Sequence, residues 1–138
     1  MKIKIIDFGA VSENFIPLRA HYNDAGADVY ACRSVTLRPG TTYKMPLGFG
    51  VEIPDGYVGF VFPRSGLSAK GINCLLPPID SGYRGEIHAM LSNVGEMSRR
   101  IEAGDRIGQL VILPCMIPDF VLDLGEERGK DAFGSSGN

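Results

Sequence analysis

The sequence lacks tryptophan, a long apolar run and any cluster of basic residues. Because no stretch approaches about 18 apolar residues, no membrane-spanning helix is predicted, and the segment Met1–Ile6 has no apolar region typical of an export signal. We therefore expect a soluble protein of the cytoplasm, or of the host cytoplasm if a phage or virus encodes it. The formal net charge of −2 argues against a broad basic surface for duplex nucleic acid, whereas an arginine-lined pocket for a small anion stays open.

Cysteine is also scarce. The chain has three, Cys32, Cys74 and Cys115, and no two of them form a CxxC pair. An odd number of scattered cysteines indicates neither a zinc site nor a disulfide framework. The pattern favours buried or half-buried thiols in a reducing compartment.

The sequence does contain a pattern of short strands. Its 138 residues, 44% of them hydrophobic, suit one domain with a single core, and 18 glycines with 9 prolines supply many turns. Alternating and apolar stretches between turn signals predict an all-β domain, a sandwich, jelly roll or barrel, with one short helical turn at Ser65–Lys70. The predicted strands are Lys2–Asp7, Asp28–Ala31, Ser34–Leu37, Thr41–Met45, Phe49–Ile53, Tyr57–Phe62, Glu86–Ser92, Ser98–Glu102, Ile107–Leu113 and Pro118–Leu124.

The C-terminal end has a different composition. From Gly125 onward the apolar pattern stops, and the remaining residues form a tail rich in Gly and Ser with too little apolar area to dock by itself. We therefore divide the chain into a β-barrel domain, residues 1–124, and a flexible C-terminal arm, residues 125–138. Composition favours a frayed end, and the alternative is an arm that orders over a ligand.

One segment is suited to binding an anion. Pro63-Arg64-Ser65-Gly66-Leu67 follows an apolar strand, and its Ser-Gly turn would expose backbone N–H groups to a phosphate. Arg64 could add charge-assisted hydrogen bonds. Taken alone, the segment equally fits an ordinary strand-to-helix turn with a surface arginine.

A second segment is suited to activating water. Asp80 follows Pro77-Pro78, which restrict the backbone, so its carboxylate would be held at a tight corner close to Tyr83. A carboxylate fixed in this way can act as a general base toward water. The same residues also fit an Asx turn within a β-hairpin.

Other polar positions carry weaker signals. Asp28 offers a carboxylate to Mg2+, which keeps several waters and uses few protein ligands. Gln109, early in an apolar strand, could direct its amide toward phosphates or lie on a solvated face. His21 and His88 have no partner at ligand-like spacing, and we interpret both as non-catalytic. Neither a GxSxG nor a Walker A pattern is present.

In their order along the chain, these segments resemble the five motifs of the trimeric all-β dUTPase (deoxyuridine 5′-triphosphate nucleotidohydrolase) family. The motifs are Ala25–Ala31, Pro63–Leu67 with Lys70–Ile72, Ile79–Glu86, Gly104–Leu110 and Arg128–Gly137. The resemblance implies a jelly-roll or distorted β-barrel fold and a homotrimer whose active sites are shared between subunits. It also implies Mg2+-assisted hydrolysis of dUTP to dUMP and diphosphate, which limits uracil incorporation into DNA and supplies dUMP for thymidylate synthesis. No nucleic acid or membrane partner is expected.

The resemblance further implies roles for individual residues. Asp80 would be the catalytic base that orients water for in-line attack on the α-phosphorus. Tyr83 would pack against the deoxyribose and exclude a 2′-hydroxyl. Backbone groups of the hairpin from Ile72 to Asp80, Ile79 among them, would read uracil and exclude a 5-methyl group. Asp28 would hold Mg2+ through water, and Phe133 would stack on uracil. The other substrate-binding residues would be Arg64, Ser65, Gly66, Gln109, Arg128, Gly134, Ser135 and Ser136.

The chain departs from the family pattern at a few positions. Asp131 and Ala132 replace two glycines before Phe133, which bears on arm closure because glycine allows positive φ and close approach to phosphates. Pro77-Pro78 replaces a Gly-Val type pair and removes two N–H donors. Gly108 stands where alanine is common, which is a mild change.

Two other functions remain open at this point. A dCTP deaminase of the same fold would need a carboxylate beside C4 of the base, and it would release ammonia from dCTP. A regulatory protein that holds nucleotide without turnover is supported only by Asp131 and Ala132. Pyrophosphate release from dUTP separates the hydrolase from both alternatives.

Overall fold

The computed structural model describes residues 1–125, which form short strands joined by tight turns. Within that range the strands are β1 (Ile5–Asp7), β2 (Ala27–Tyr30), β3 (Val35–Leu37), β4 (Thr42–Pro46), β5 (Phe49–Val51), β6 (Tyr57–Pro63), β7 (Ile72–Leu75), β8 (His88–Asn93), β9 (Arg99–Ile101) and β10 (Arg106–Pro114). Two four-residue helices accompany them, α1 (Ala10–Glu13) and α2 (Ser65–Ser68). The predicted all-β class is confirmed.

The strands pair antiparallel in four small sheets, in the orders β1-β5, β2-β10-β6, β3-β9 and β4-β8-β7. The longest ladder joins β10 to β6, from the pair Gly108–Pro63 to the pair Pro114–Tyr57. Over the described part of the chain the ladders do not close into a continuous barrel, and the arrangement is consistent with a jelly roll. Since β10 also pairs with β2, residues distant in sequence meet at one end of this sheet.

The core is formed by the inward side chains of the strands. In β8 the burial alternates without exception, so that Ala89, Leu91 and Asn93 point inward. Asn93 is the buried polar exception, and its amide is satisfied: Nδ2 donates to the carbonyls of Leu37 at 2.8 Å and Met97 at 2.9 Å, and Oδ1 accepts from the Gly95 N–H at 2.9 Å. Leaving those groups unpaired would cost about 1–3 kcal/mol each.

Three expectations about elements differ from the structure. The strand predicted at Pro118–Leu124 is wrong: the segment has no ladder partner within residues 1–125, and Phe120, Val121 and Leu122 are largely exposed. A strand needs a neighbour for its backbone groups, which an alternating pattern cannot supply. Strand β7 was not predicted, since its four residues lie between Gly71, at φ 87°, and the two prolines.

Two helices occur where one was predicted. Helix α2 confirms the turn expected at Ser65–Lys70, whereas α1 was missed. Four residues are too few to show a helical period, and α1 is set by its flanks. The Asp7 carboxylate accepts from the Gly9 N–H at 2.8 Å and the Val11 N–H at 3.2 Å, and Asn14 ends the helix in the left-handed region at φ 59°.

The cysteines are free thiols, as expected. Cys74 is buried, and Cys32 and Cys115 are half-buried. Burial raises the pKa of Cys74 to about 11. Burial also raises the pKa of Cys32, with a smaller contribution from the negative charge of Glu86. No helix within residues 1–125 is long and apolar enough to cross a membrane.

Candidate active site

Asp80 lies at a corner whose backbone is held on both sides. The preceding Ile79 exchanges two hydrogen bonds with Gly59 of β6, its N–H donating at 2.8 Å and its carbonyl accepting at 3.0 Å. The Tyr83 N–H donates to the Asp80 carbonyl at 3.0 Å and closes the following turn. The Asp80 carboxylate is exposed and accepts no hydrogen bond from residues 1–125, so it can receive water or a ligand.

Polar side chains brace the turn after Asp80. Arg84 Nη1 donates to the carbonyls of Ser81 at 2.5 Å and Tyr83 at 3.3 Å. The Ser81 hydroxyl in turn donates to Asp55 Oδ1 at 3.2 Å. These contacts fix the direction of the chain through the turn, which a positioned base requires.

The Tyr83 ring lies against the backbone of Gly85. Its hydroxyl donates to the Glu86 carbonyl at 2.7 Å. A Cβ on Gly85 would come within 2.6 Å of the Tyr83 hydroxyl and 2.7 Å of its Cζ, closer than real atoms approach. Any side chain at position 85 would therefore displace the ring, which is 45% exposed and presents a flat surface to a ligand.

Asp80 and Tyr83 share a cavity of about 230 Å³. It lies on the outer face of the β4-β8-β7 sheet, beneath the segment that joins β7 to Asp80. The lining is mostly apolar, with Asp80, Glu86, Lys44 and His88 as its polar members, and includes Leu75, Pro77, Pro78, Ile79 and Met90. A small, mainly apolar cleft with few polar groups is typical of a site for a flat ligand.

A second group of candidates meets at the end of the β2-β10-β6 sheet. Gln109 of β10 lies directly opposite Asp28 of β2. Asp28 Oδ2 pairs with Arg106 Nη1 at 3.3 Å, and Arg64 Nη1 donates to the Arg106 carbonyl at 3.1 Å. The side chain of Gln109 occupies the space beside Gly26, where a Cβ would lie 2.7 Å from Gln109 Oε1.

The loop after β6 opens helix α2 beside this group. Arg64 is extended, with φ −90° and ψ 139°, and Ser65 and Gly66 begin the helix, where the first N–H groups have no intrahelical acceptor. A Cβ on Gly66 would meet nothing within 4 Å among the described residues, so internal packing does not require glycine there. Arg64 also lines a polar cleft of about 650 Å³ with Lys70, Arg100 and Arg106.

The structure brings some predicted site residues together and separates others. Arg64, Gln109 and Asp28 form one group, next to Ser65 and Gly66, and Asp80, Tyr83 and Ile79 form another. The Asp80 corner is attached to β6 at Gly59, whereas Arg64 follows the end of β6 at Pro63. Four residue steps along a strand separate these points by about 13 Å. The two groups of one chain are therefore anchored at different points of β6.

Five of the predicted substrate-binding residues, Arg128, Phe133, Gly134, Ser135 and Ser136, lie outside the described residues. The two histidines are described. His21 is an exposed partner of Asp24, with Nδ1 to Oδ2 at 3.2 Å, and His88 lies in the lining of the Asp80 cavity. Their non-catalytic interpretation stays a prediction. Within residues 1–125 no three His, Cys, Asp or Glu side chains gather as metal ligands.

Sequence reasoning missed the cationic neighbours of Arg64. Arg106 pairs with Asp28, and Lys70 and Arg100 line the same cleft. Lys70 lies one short helix away from Arg64, so the spacing carried a weak signal for it. Arg100 comes from β9, which pairs only with β3, and nothing local marks it as a neighbour of Arg64.

Comparison with protein families gives one match over most of the chain. A family model described as dUTPase matches residues 13–137. Among curated proteins, the deoxyuridine 5′-triphosphate nucleotidohydrolase of Leifsonia xyli subsp. xyli is 43% identical over 129 residues, which cover 88% of this chain and 85% of that protein. The enzyme of the same name from Gloeobacter violaceus is 46% identical over 131 residues, covering 88% of each chain.

Solved structures resemble this fold closely. A variant dUTPase of Staphylococcus aureus phage phi11, solved to show the coordination of a structural Mg(II) ion, superimposes with a TM-score of 0.82 at 26% identity and covers 92% of this chain and 99% of that one. A variant of the Staphylococcus bacteriophage 80alpha dUTPase with dUpNHpp has a TM-score of 0.79 at 30% identity, and the match covers 98% of each chain.

Proposed function

The chain belongs to the dUTPase family and hydrolyses dUTP to dUMP and diphosphate, and we propose that Asp80 is the general base of this reaction. The observation that carries this assignment is the cavity of about 230 Å³ that is lined by both the Tyr83 ring and the Asp80 carboxylate, which has no hydrogen-bond partner within residues 1–125. A general base must reach its water in a fixed position, and the braced corner supplies that position.

The reaction needs one proton transfer and one exchange of bonds at phosphorus. Asp80 accepts a proton from water as the water oxygen bonds to the α-phosphorus. The bond from the α-phosphorus to the bridging oxygen of the β-phosphate breaks, and the diphosphate leaves with that oxygen. Positioning and charge neutralisation account for most of the catalysis in such a reaction.

Tyr83 and the segment before Asp80 are suited to select the nucleoside. The ring surface of Tyr83 packs against a deoxyribose and leaves no room for a 2′-hydroxyl. The apolar part of the cavity, at Leu75 and the two prolines, accepts the base. Pro77 and Pro78 have no N–H, and the Ile79 N–H is already bonded to Gly59, so the backbone donors left for uracil lie at Leu76 and Asp80.

The group at the end of the β2-β10-β6 sheet is suited to bind the triphosphate. Arg64, Ser65, Gly66 and Gln109 supply a guanidinium, a hydroxyl, backbone N–H groups and an amide within one region. Asp28 supplies a single carboxylate, which is already paired with Arg106. One carboxylate suits Mg2+ that keeps most of its waters and is otherwise bound by phosphates. When bound, Mg2+ would neutralise negative charge on the triphosphate.

The separation of the two groups supports an active site shared between subunits. The Asp80 corner docks on β6 at Gly59 and Arg64 follows Pro63, about 13 Å further along the strand, which favours the two residues of one chain serving different nucleotides. A homotrimer that sets the Asp80 cavity of one subunit against the Arg64 group of the next would complete each site, and the arm, residues 125–138, would close over it.

The free cysteine thiols of the chain support a location of the protein in the cytoplasm, or in the host cytoplasm if a phage or virus encodes it.

The function predicts a narrow substrate range. We expect dUTP with Mg2+ to give dUMP and pyrophosphate, and UTP and dTTP to have kcat/KM values roughly 10- to 200-fold lower, since each adds one group to a closely fitted pocket. Assays of pyrophosphate release with the three nucleotides test this. If dUTP were left intact, the proposed function would be wrong. If kcat/KM for UTP were comparable to that for dUTP, the role of Tyr83 in sugar selection would be wrong.

The shared site predicts complementation between two inactive variants. Asp80→Asn damages one group and Arg64→Ala the other, so mixed trimers contain some sites with both groups intact. Random mixing in equal amounts restores about one quarter of the sites. The measurement is dUTP turnover after the two variants are refolded together. A mixture of Asp80→Asn with Tyr83→Ala is the control and stays inactive, because both changes lie in the same group. Absence of recovery in the first mixture would place each site within one chain.

A further inference from the structure

Glu86 connects the Tyr83 ring to a different part of the fold. Its backbone carbonyl accepts the Tyr83 hydroxyl at 2.7 Å, and its carboxylate Oε2 accepts the Gly48 N–H at 2.9 Å. The second contact joins positions 38 residues apart in sequence and is partly buried. One residue thus holds the hydroxyl of the sugar-facing ring and is itself held by the turn between β4 and β5.

The turn that receives the Glu86 carboxylate is firmly held. Gly48 has φ 77°, a conformation that favours glycine, and its carbonyl accepts from the N–H groups of Phe8 at 2.8 Å and Ala10 at 2.9 Å. On either side, Leu47 N–H donates to the Ile87 carbonyl at 3.1 Å and Ile87 N–H to the Phe49 carbonyl at 2.9 Å. The Glu86 carboxylate therefore adds a third hydrogen bond between this turn and the segment of Glu86 and Ile87, and it belongs to the same residue whose carbonyl accepts from Tyr83.

The backbone between Tyr83 and Glu86 has little room to move in compensation. The ring packs directly on Gly85, and the Gly85 carbonyl abuts Gly50 of β5, where no Cβ could be placed without a clash. A shift of the Glu86 carbonyl is therefore transmitted to the ring rather than absorbed by the loop. Glu86 lines the cavity of Asp80 and Tyr83. It also lines a second cavity of about 290 Å³, together with Cys32 and Gly48.

We propose that Glu86 is a positioning residue for sugar selection: by binding the Gly48 N–H, its carboxylate fixes the carbonyl that holds the Tyr83 hydroxyl, and so sets the gap that admits deoxyribose and rejects ribose. This inference rests on the proposed function. It adds a specificity determinant that acts through the position of Tyr83 and that lies beyond the turn carrying Asp80 and Tyr83.

The test compares substitutions of Glu86 through the ratio of kcat/KM for dUTP to kcat/KM for UTP. Glu86→Leu has similar volume but no acceptor, and we expect the ratio to fall about 5- to 20-fold, mainly through a higher KM for dUTP, with a smaller change in its kcat. Glu86→Gln keeps an oxygen acceptor for the Gly48 N–H, and its ratio stays within about threefold of wild type. Glu96→Ala, a change at an exposed glutamate, is the control and leaves the ratio unchanged.

A double-mutant cycle separates this role from general destabilisation. In Tyr83→Phe the hydroxyl is absent, so adding Glu86→Leu causes little further change in the ratio if Glu86 acts through that hydroxyl. Additive losses would overturn the proposal, as would an unchanged ratio in Glu86→Leu or equal losses in Glu86→Leu and Glu86→Gln. Kd values for dUMP and UMP, measured without turnover, keep the test independent of Asp80. They still report sugar selection if wild-type protein fails to hydrolyse dUTP.

Discussion

Replacing Asp80 with asparagine should lower kcat for dUTP roughly 10²- to 10⁴-fold, the usual contribution of a general base. Asparagine has nearly the same shape, so the corner fixed by Ile79 and Tyr83 stays intact, but its amide cannot take a proton from water. The affinity for dUTP should stay equal or rise, because one negative charge near the triphosphate is removed. Single-turnover kinetics and binding of dUTP to the same preparation give the two quantities.

Asp119→Asn is a matched control for that change. Asp119 is exposed, and its carboxylate makes no hydrogen bond within residues 1–125. We expect its turnover to match wild type, which shows that loss of one carboxylate in general does not affect catalysis. Turnover near the wild-type rate in Asp80→Asn would remove Asp80 from the role of base. A large fall in Tm would instead indicate that the corner itself had been disturbed.

Deleting residues 128–138 should lower kcat/KM for dUTP roughly 10²- to 10³-fold and leave Tm almost unchanged. The arm carries Arg128 and the two serines assigned to the phosphates, and Phe133 assigned to the base. Removing groups that bind the transition state typically lowers kcat/KM by about this factor of 10²–10³. The stability should persist because, among residues 1–125, every buried apolar residue of the core lies between Ala10 and Val111.

Thermal unfolding and steady-state kinetics on the same preparation test the deletion. Removal of Asn138 alone is the control, since no role is assigned to that residue, and its activity should match wild type. If the longer deletion instead lowered Tm strongly, the C-terminal residues would be part of the folded core rather than a closing arm. If both activity and Tm were unaffected, the arm would have no role in the site.

The two prolines before Asp80 lie at the cavity that Asp80 and Tyr83 share. They line the Asp80 cavity and are exposed, so they shape its entrance rather than the core. Neither has an N–H and the Ile79 N–H serves the backbone of β6, so under the proposed function uracil would have fewer backbone donors to use. The rigidity of the prolines compensates in part, because the remaining groups are already held in place.

Membership of the dUTPase family decides between the functions that the sequence left open. A deaminase of the same fold would need a carboxylate aimed at C4 of the base, and it would release ammonia from dCTP. In this structure the exposed Asp80 carboxylate lies next to Tyr83, at the part of the cavity assigned to the sugar. That position suits attack on a phosphorus atom attached to the sugar.

Local sequence signals predicted most of the strands because burial alternates along them. In β8 buried and half-buried residues alternate strictly, and β10 is a long apolar run next to a turn signal, so both could be predicted as strands. Two elements were missed: the four residues of α1 are too few to display a helical period, and β7 lies between Gly71 and the two prolines, whose turn signals dominate the local pattern. The segment Pro118–Leu124 shows the opposite error, an apolar pattern without a neighbouring strand to receive its backbone groups.

What the sequence by itself determined is the chemistry at each position and the turns that are made locally. The prolines before Asp80 and the Ser-Gly start of α2 act through their immediate neighbours, so their effect is encoded within a few residues. The tertiary structure alone decided that Asp28, Arg64 and Arg106 meet, that the Asp80 corner docks on β6 at Gly59, and that Glu86 reaches Gly48. These relations depend on antiparallel pairing and on hydrogen bonds between residues 38 to 78 positions apart. No local period or propensity records such contacts, because their energy is gained only when the sheets are assembled.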